Sequence, residues 1–269
     1  LTLTATPIPR TLSMSVYANM DVSVIDELPP GRKPIQTSCL PLSGKEKLIE
    51  RIFAATKKGS KVYWICPLIE ESENLDLNAV METYEDLSEY FGSSNVGCLH
   101  GKLSAKEKQN QIQAFKDSKT SILVSTTVVE VGVDIPDADI MVIENAERFG
   151  LAQLHQLRGR IGRGNKESFC ILMHKDKIQD ISMERLQALV DSQDGFKIAE
   201  KDLEIRGPGE IMGAQQTGIV PMKYTNLVRD SQYLMETKKV AELICNEEPE
   251  LANQLIERWI SGSIAFADA

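Results

Sequence analysis

The sequence lacks several features that would place it in common protein classes. No apolar run approaches the roughly 20 residues that a membrane-spanning helix needs, and no basic stretch precedes an apolar segment as in a secretory signal. The five cysteines of the 269-residue chain include no CxxC pair, and the three histidines are scattered. We therefore expect a cytoplasmic protein with reduced thiols, without a disulfide framework or a metal site.

Acidic residues outnumber basic ones, because 39 Asp and Glu stand against 30 Lys and Arg, and the formal net charge is -9. Taken alone, that total argues against binding to nucleic-acid phosphates. The acidic residues are concentrated, however, since residues 70–90 carry eight of them and no Lys or Arg. The rest of the chain is nearly neutral, so its basic residues could still form one DNA-binding face. The expected members of that face are Arg158, Arg160, Arg163 and Lys166, with residues 70–90 turned away from the DNA.

Composition and hydrophobic pattern indicate an α/β protein. Hydrophobic residues make up 42% and charged residues 26%, as in soluble globular domains. Short apolar segments predict strands at 35–40, 61–67, 96–99, 121–125, 140–144 and 168–173. Helical spacing between them predicts helices at 45–58, 77–91, 104–115 and 152–160. This alternation is typical of a mostly parallel sheet covered by helices.

The two ends of the chain have a different pattern. A strand at 1–4 and a helix at 11–19 precede a Pro-rich linker at 28–34. From 176 onward only helices are predicted, at 182–191, 197–205, 227–244 and 251–260. Because the chain begins with Leu1 rather than Met, we expect it to be part of a longer protein.

The segment QLRGRIGR at 156–163 is the strongest candidate for chemistry. Arg160 and Arg163 are three positions apart, so both could point the same way near a helix end. Gly159 and Gly162 would let a phosphate approach closely. Paired guanidinium groups suit the charge of a transferring phosphoryl group. A solvated basic helix end is the plainer alternative.

Two further strand ends carry polar residues. The strand that ends at Ser125 continues into Thr126 and Thr127, and such hydroxyl and N–H groups can bind an anion, although simple N-capping would explain them as well. His100 and Lys102 follow the strand at 96–99 and could reach a phosphate backbone, or form an ordinary surface turn.

Two other segments do not fit a nucleotide site. SGKE at 43–46 contains Gly-Lys but lacks the first Gly and the final Ser or Thr of a phosphate-binding loop. Asp26 and Glu27 precede a Pro-rich linker rather than a sheet. The sequence therefore offers arginines for a nucleotide but no loop to hold one, so we expect half of such a site to lie elsewhere.

Four segments, in the right order, resemble helicase motifs of superfamily 2. TATPIPR at 4–10 is similar to motif III, residues 125–134 to motif V and residues 156–163 to motif VI. Residues 195–210, together with Gln216 to Gly218, resemble the translocation motif shared by RecG DNA helicases and the transcription-repair coupling factor. Gln215 departs from that motif, which often has Arg there. The resemblance covers nearly the whole chain and identifies the C-terminal part of a RecG-type ATP-dependent DNA helicase.

The resemblance implies roles for individual residues. Arg160 and Arg163 would act as arginine fingers with Gln156 beside them, and Gly132 and Asp134 would line the nucleotide cleft. His100, Lys102 and Thr126 would touch the DNA backbone. The residues that couple the two lobes and drive translocation would be Thr4, Thr6, Arg185, Arg206 and Gln216.

The resemblance also implies an architecture. Residues 1–30 would end the first helicase lobe, 31–175 would form a RecA-like second lobe, and 176–269 would form a helical hairpin with C-terminal helices. ATP and Mg²⁺ would be held mainly by the first lobe, so this chain alone should not hydrolyse ATP. Partners would be branched double-stranded DNA, the first lobe and an N-terminal wedge of the same protein, with no membrane.

Three alternatives remain open at this stage. A translocase of the transcription-repair coupling type shares the translocation motif and differs in displacing RNA polymerase. An RNA helicase of the same superfamily leaves residues 195–218 unexplained. A non-catalytic α/β binding module would need Arg160 and Arg163 for stability only.

Overall fold

Six strands of the computed structural model form one parallel sheet. The structure describes residues 23, 33–67, 73–126, 138–164, 166–206, 230 and 233–260. Residues 33–198 belong to one compact unit, and the described residues from 199 onward belong to a second. The predicted strand at 1–4, the helix at 11–19 and residues 28–32 of the linker lie outside the described residues.

The strands follow the predicted positions closely. They are β1 (Ile35–Pro41), β2 (Lys61–Ile65), β3 (Val96–Leu99), β4 (Ile122–Ser125), β5 (Ala138–Ile143) and β6 (Ser168–His174). Their order across the sheet is β1-β6-β5-β2-β4-β3. The central strand β2 is buried along its whole length, as the continuous apolar run KVYWI requires. The predicted parallel α/β fold is confirmed.

Eight helices accompany the strands in the described ranges. They are α1 (Lys45–Thr56), α2 (Glu73–Phe91), α3 (Ala105–Lys116), α4 (Leu151–Arg158), α5 (Asp180–Asp191), α6 (Gly195–Arg206), α7 (Leu234–Glu247) and α8 (Pro249–Ile260). A capping box begins α3, because Glu107 N–H donates to Ser104 Oγ at 3.3 Å and Ser104 N–H donates to the Glu107 carboxylate at 2.8 Å. In the second unit, α7 and α8 pack against each other.

Helices cover both faces of the sheet. Leu48 and Ile52 of α1 and Val80 and Leu87 of α2 pack into one core with Trp64. Tyr63 points to the opposite face, where its ring lies 5.2 Å from that of Phe115 on α3. The right-handed crossover from β5 to β6 places α4 on that second face too. The acidic helix α2 and the helix preceding Arg160 therefore lie on opposite faces.

This parallel sheet has two distinct edges. All strands end at one edge, here called the carboxyl edge, and begin at the other, the amino edge. Five residues of β2 at about 3.3 Å each separate the two by roughly 15 Å. None of the described helices is long and apolar enough to cross a membrane.

Candidate functional site

The arginine turn, Gly159–Arg163, lies at the amino edge of the sheet. Helix α4 ends at Arg158 rather than at Arg160 as predicted, and one more tight turn follows, in which Arg160 N–H donates to Leu157 O at 2.9 Å. Gly162 then takes a positive φ of 71° and donates its N–H to Ala138 O, at the start of β5, at 3.4 Å. These contacts fix the turn beside the first residues of β5.

Gly162 is required by both conformation and space. A Cβ at this position would meet Ile35 Cγ1 at 3.0 Å, in a backbone conformation that L-residues rarely adopt. We expect Gly162→Ala to lower the free energy of unfolding by about 1–3 kcal/mol, measured by urea denaturation. Gly59→Ala is the matched control, since Gly59 has φ +85 but nothing within 4 Å. Equal losses in the two variants would show that packing against Ile35 is unimportant.

The two candidate finger arginines differ in exposure. Arg163 is exposed and Arg160 is half-buried. The Arg163 side chain folds back over the turn, where Nε donates to Gly159 O at 3.4 Å. Gln156 is half-buried one turn earlier on α4. A rigid turn that presents guanidinium groups to solvent can bind phosphate oxygens, because Arg offers several donors in a fixed plane.

Arg158 has a different role from its neighbours. It is only 2% exposed, and Nη1 donates to the carbonyls of Leu189 at 2.6 Å and Ser192 at 2.9 Å, at the end of α5. The same nitrogen lies 3.4 Å from Thr37 Oγ1 on β1. The prediction that Arg158 belongs to a basic DNA-binding face is therefore wrong. Its buried guanidinium ties α4 to β1 and α5.

At the carboxyl edge, the register brings two predicted DNA contacts together. Leu99 of β3 pairs with Ser125 of β4, so the following residues, His100 and Thr126, emerge about 5 Å apart. Thr126 is 3% exposed. Thr126 Oγ1 and His100 Nδ1 are both buried and have no hydrogen-bond partner in the described part of the chain. Buried polar atoms are normally paired, so these two are suited to an incoming ligand.

Positive charge surrounds this pair. Burial, reinforced by Lys108 and Lys102, lowers the pKa of His100, so the imidazole is neutral at pH 7. Lys108 Nζ donates to Gly101 O at 2.9 Å, which holds the loop against the start of α3. Lys102 is exposed. A neutral imidazole, a hydroxyl and nearby ammonium groups suit a phosphodiester.

A buried ion pair at the same edge was not foreseen from the sequence. Lys45 Nζ, at the start of α1, lies 2.8 Å from Glu144 Oε1, immediately after β5. Thr83 Oγ1 of α2 donates to the other Glu144 oxygen at 3.4 Å. Burial, followed by the nearby Glu144 charge, raises the pKa of Cys66 to about 12, so this thiol is unreactive. The pair fixes both helices to the β5–α4 connection.

The remaining predicted residues divide into two groups. Arg185 on α5 donates from Nη2 to Phe149 O, at the start of α4, and Arg206 is the last residue of α6. Five predicted residues lie outside the described part: Thr4, Thr6, Gly132, Asp134 and Gln216. The structure thus brings His100, Lys102 and Thr126 together at the carboxyl edge, and places Arg160 and Arg163 at the opposite one.

Two known families match separate parts of the chain. Residues 44–165 match the helicase conserved C-terminal domain. Residues 192–258 match the C-terminal part of domain 3 of the ATP-dependent DNA helicase RecG. The first match contains both sheet edges described above. Arg158 joins the two matched regions, because Ser192, whose carbonyl it binds, is the first residue of the second.

Similar proteins cover almost all of the chain. It is 51% identical over 262 residues to the ATP-dependent DNA helicase RecG of Pasteurella multocida. That alignment covers 97% of this chain and 38% of the Pasteurella protein. The chain is 48% identical to the RecG of Escherichia coli K12 over 100% of its length and 39% of that protein. The structure of RecG bound to a three-way DNA junction matches 86% of this chain and 30% of that one, with a TM-score of 0.67 at 45% identity. The chain thus spans less than two fifths of these two relatives.

Proposed function

We propose that this chain, which belongs to the RecG helicases and matches their C-terminal part, is the second motor lobe of an ATP-dependent enzyme that remodels branched DNA. The observation that supports this proposal is the separation of two candidate phosphate-binding sites at opposite edges of one sheet. The exposed Arg163 and the half-buried Arg160 lie at the amino edge, and two buried polar atoms without a partner among the described residues lie at the carboxyl edge. A DNA motor needs two separate sites, because it must bind ATP and DNA at the same time.

The amino edge is the proposed nucleotide side. Arg160 and Arg163 would stabilise charge on the transferring γ-phosphoryl group of ATP, since a fixed cation aimed at that charge lowers the barrier. Gln156 would lie beside them, and Gly132 and Asp134 would line the cleft. The phosphate-binding loop and Mg²⁺ are assigned in this proposal to the first lobe. The chain alone is therefore expected to lack ATP turnover.

The carboxyl edge is the proposed DNA side. Thr126 and His100 would bind phosphate oxygens of the backbone, with Lys102 contributing charge. Contacts to the phosphate backbone carry no sequence information, so the affinity for DNA would not depend on its sequence and would fall as the salt concentration rises. Helix α2, with its exposed Glu82, Glu85 and Glu89, covers the opposite face of the sheet from α3, and its Thr83 reaches the carboxyl edge at Glu144.

Translocation requires that changes at one edge move the other parts of the lobe. We assign this coupling to the predicted residues Thr4, Thr6, Arg185, Arg206 and Gln216. Residues 1–30 would end the first lobe, 31–175 would form the second, and 176–269 would carry the hairpin and C-terminal helices. Cleft closure on ATP and reopening after hydrolysis would then shift the lobe along the duplex. Such an enzyme works where the chromosome lies, which in bacteria is the cytoplasm.

The test of this function uses the full-length protein that carries the chain. Purified enzyme should unwind a labelled three-way junction with ATP and not with a non-hydrolysable analogue. Linear duplex of equal length is the control substrate. Displacement of a stalled RNA polymerase without junction unwinding would instead support a translocase of the transcription-repair coupling type. No ATP turnover with any DNA would contradict the proposal and favour a binding module.

A prediction follows for the carboxyl edge. Thr126→Val should weaken binding to a three-way junction by about 10- to 150-fold, because a hydrogen bond to a charged group contributes about 1.5–3 kcal/mol. Thr126→Ser, which keeps the hydroxyl, should bind as the wild type does. Fluorescence anisotropy at fixed salt measures both. Equal affinity of the Val and Ser variants would remove Thr126 from the DNA site.

Lys102 offers a complementary prediction through salt. Lys102→Ala should reduce the slope of log affinity against log salt by about 0.9, the value expected for one lost phosphate contact. Lys119→Ala is the matched control, because Lys119 is an exposed lysine at the amino edge with a 74% exposed side chain. Anisotropy titrations at four salt concentrations give both slopes. Identical slopes for the two variants would contradict a DNA site at the carboxyl edge.

A further inference from the structure

The carboxylate of Glu147 is enclosed without a partner. Glu147 lies in the short 3-10 turn Ala146–Arg148, which leads from β5 toward α4 at the carboxyl edge. Both of its carboxylate oxygens are inaccessible to solvent, and neither accepts a hydrogen bond from any residue that the structure describes. An enclosed carboxylate is strongly disfavoured unless a donor or a cation faces it. Glu147 therefore requires a partner in the working enzyme.

Arg185 is the complementary group. Helix α5 packs against the turn that holds Glu147, and the Arg185 guanidinium already reaches Phe149 O, two residues further along. Its Nε is enclosed and has no acceptor among the described residues. In the described ranges no ion pair within 4.0 Å joins the two side chains. An unpaired carboxylate and a partly unpaired guanidinium thus lie in the same packed contact between α5 and the start of α4.

We propose that Glu147 is the ionic partner of Arg185 and a positioning residue of the motor. Because a guanidinium has donors on three nitrogens, Arg185 can keep Phe149 O and also bind the Glu147 carboxylate. The pair would fix the start of α4 to α5. Arg158 already fixes the other end of α4 to the end of α5. With both ends of α4 tied to α5, the two helices would move as one body. The arginine turn, which follows α4, would then move together with the predicted helical hairpin.

Glu147 acts in this account through Arg185 and not on DNA or ATP. The expected effect on DNA unwinding rests on the proposed function, whereas the pairing of Glu147 with Arg185 does not. The prediction is that loss of either partner leaves ATP turnover nearly unchanged but lowers the number of base pairs unwound per ATP. A residue with a merely structural role would reduce both in proportion to the folded fraction.

The experiment is a double-mutant cycle in the full-length protein. Glu147→Gln and Arg185→Gln should each reduce base pairs unwound per ATP by about fivefold, and the double variant should show about the same fivefold loss, as expected for two groups that act only together. Glu147→Asp, which keeps the charge, should restore most of the coupling. Arg148→Ala, an exposed neighbour on the same turn, should behave as the wild type does.

Two outcomes would overturn the proposal. One is a Glu147→Gln variant that unwinds as many base pairs per ATP as the wild type. The other is a double variant whose loss is the product of the single losses, about 25-fold, which would mean independent action. If the wild type unwinds no DNA, the proposed function fails. The free energies of unfolding of the same single and double variants, measured by urea denaturation, then test whether Glu147 and Arg185 interact. Additive shifts there would refute it, and non-additive shifts would support it.

Discussion

Arg163→Ala in the full-length enzyme should lower ATP turnover by about 10³- to 10⁵-fold while leaving ATP binding nearly intact, the magnitude known for arginine fingers. Arg163 is exposed at the amino edge, and its Nε is held by Gly159 O at 3.4 Å. Its guanidinium would act mainly in the transition state, where charge builds on the transferred phosphoryl group. The measurement is steady-state ATP hydrolysis on junction DNA, with nucleotide affinity determined separately.

A neighbouring cation serves as the control for this variant. Lys166 is also exposed, and its Nζ donates to Gly59 O at 3.1 Å, close to the same edge. Lys166→Ala should change turnover by less than about threefold, since a surface cation that faces no reacting atom contributes little. Wild-type turnover in Arg163→Ala, or equal losses in the two variants, would remove the arginine turn from the chemistry.

Arg158→Met should destabilise the lobe by about 3 kcal/mol, because two carbonyls and a hydroxyl lose a charged donor in a buried site. Methionine keeps similar length without the charge. Arg148→Met is the control, because that arginine is exposed, and it should cost less than about 0.5 kcal/mol. Urea denaturation followed by the fluorescence of the buried Trp64, in a Trp259→Phe background, measures both.

The outcome also separates two accounts of Arg158. If it bound DNA, its replacement would leave stability unchanged and weaken junction binding to the same extent as Lys102→Ala. If it is the internal tie described here, stability falls and the affinity of the folded fraction for DNA stays the same. Arg158→Lys should recover only part of the stability, because a single ammonium group cannot reproduce a planar fork that reaches two carbonyls, the Thr37 hydroxyl and His155 Nδ1.

Much of the fold could be predicted from local pattern. The short apolar segment at 61–67 predicted the strand β2, and helical spacing over 104–115 predicted α3 to within one residue at each end. The order of the strands could not be predicted, because it depends on which crossovers pack best and not on any local signal. That order places β4 beside β3, so that Thr126 and His100 follow paired strand ends.

The site was predicted less completely than the fold. The expected basic face included Arg158 with Arg160, Arg163 and Lys166, but Arg158 follows Leu151 and Leu154 at positions i+7 and i+4, on the buried side of α4. That helical spacing was the available signal. The Lys45–Glu144 pair offered none, and neither did the proposed pairing of Glu147 with Arg185, since in each case the two residues are distant in sequence and their elements meet only when the fold is assembled.

In the proposed motor lobe, nucleotide and DNA bind at opposite edges of one sheet. The most direct measurement determines, for Arg163→Ala and Thr126→Val of the full-length protein, both the maximal ATP turnover at saturating junction DNA and the affinity for that DNA. Arg163→Ala should reduce only turnover, and Thr126→Val should reduce only affinity, each leaving the other quantity within about twofold. Loss of the same quantity in both variants would contradict this arrangement.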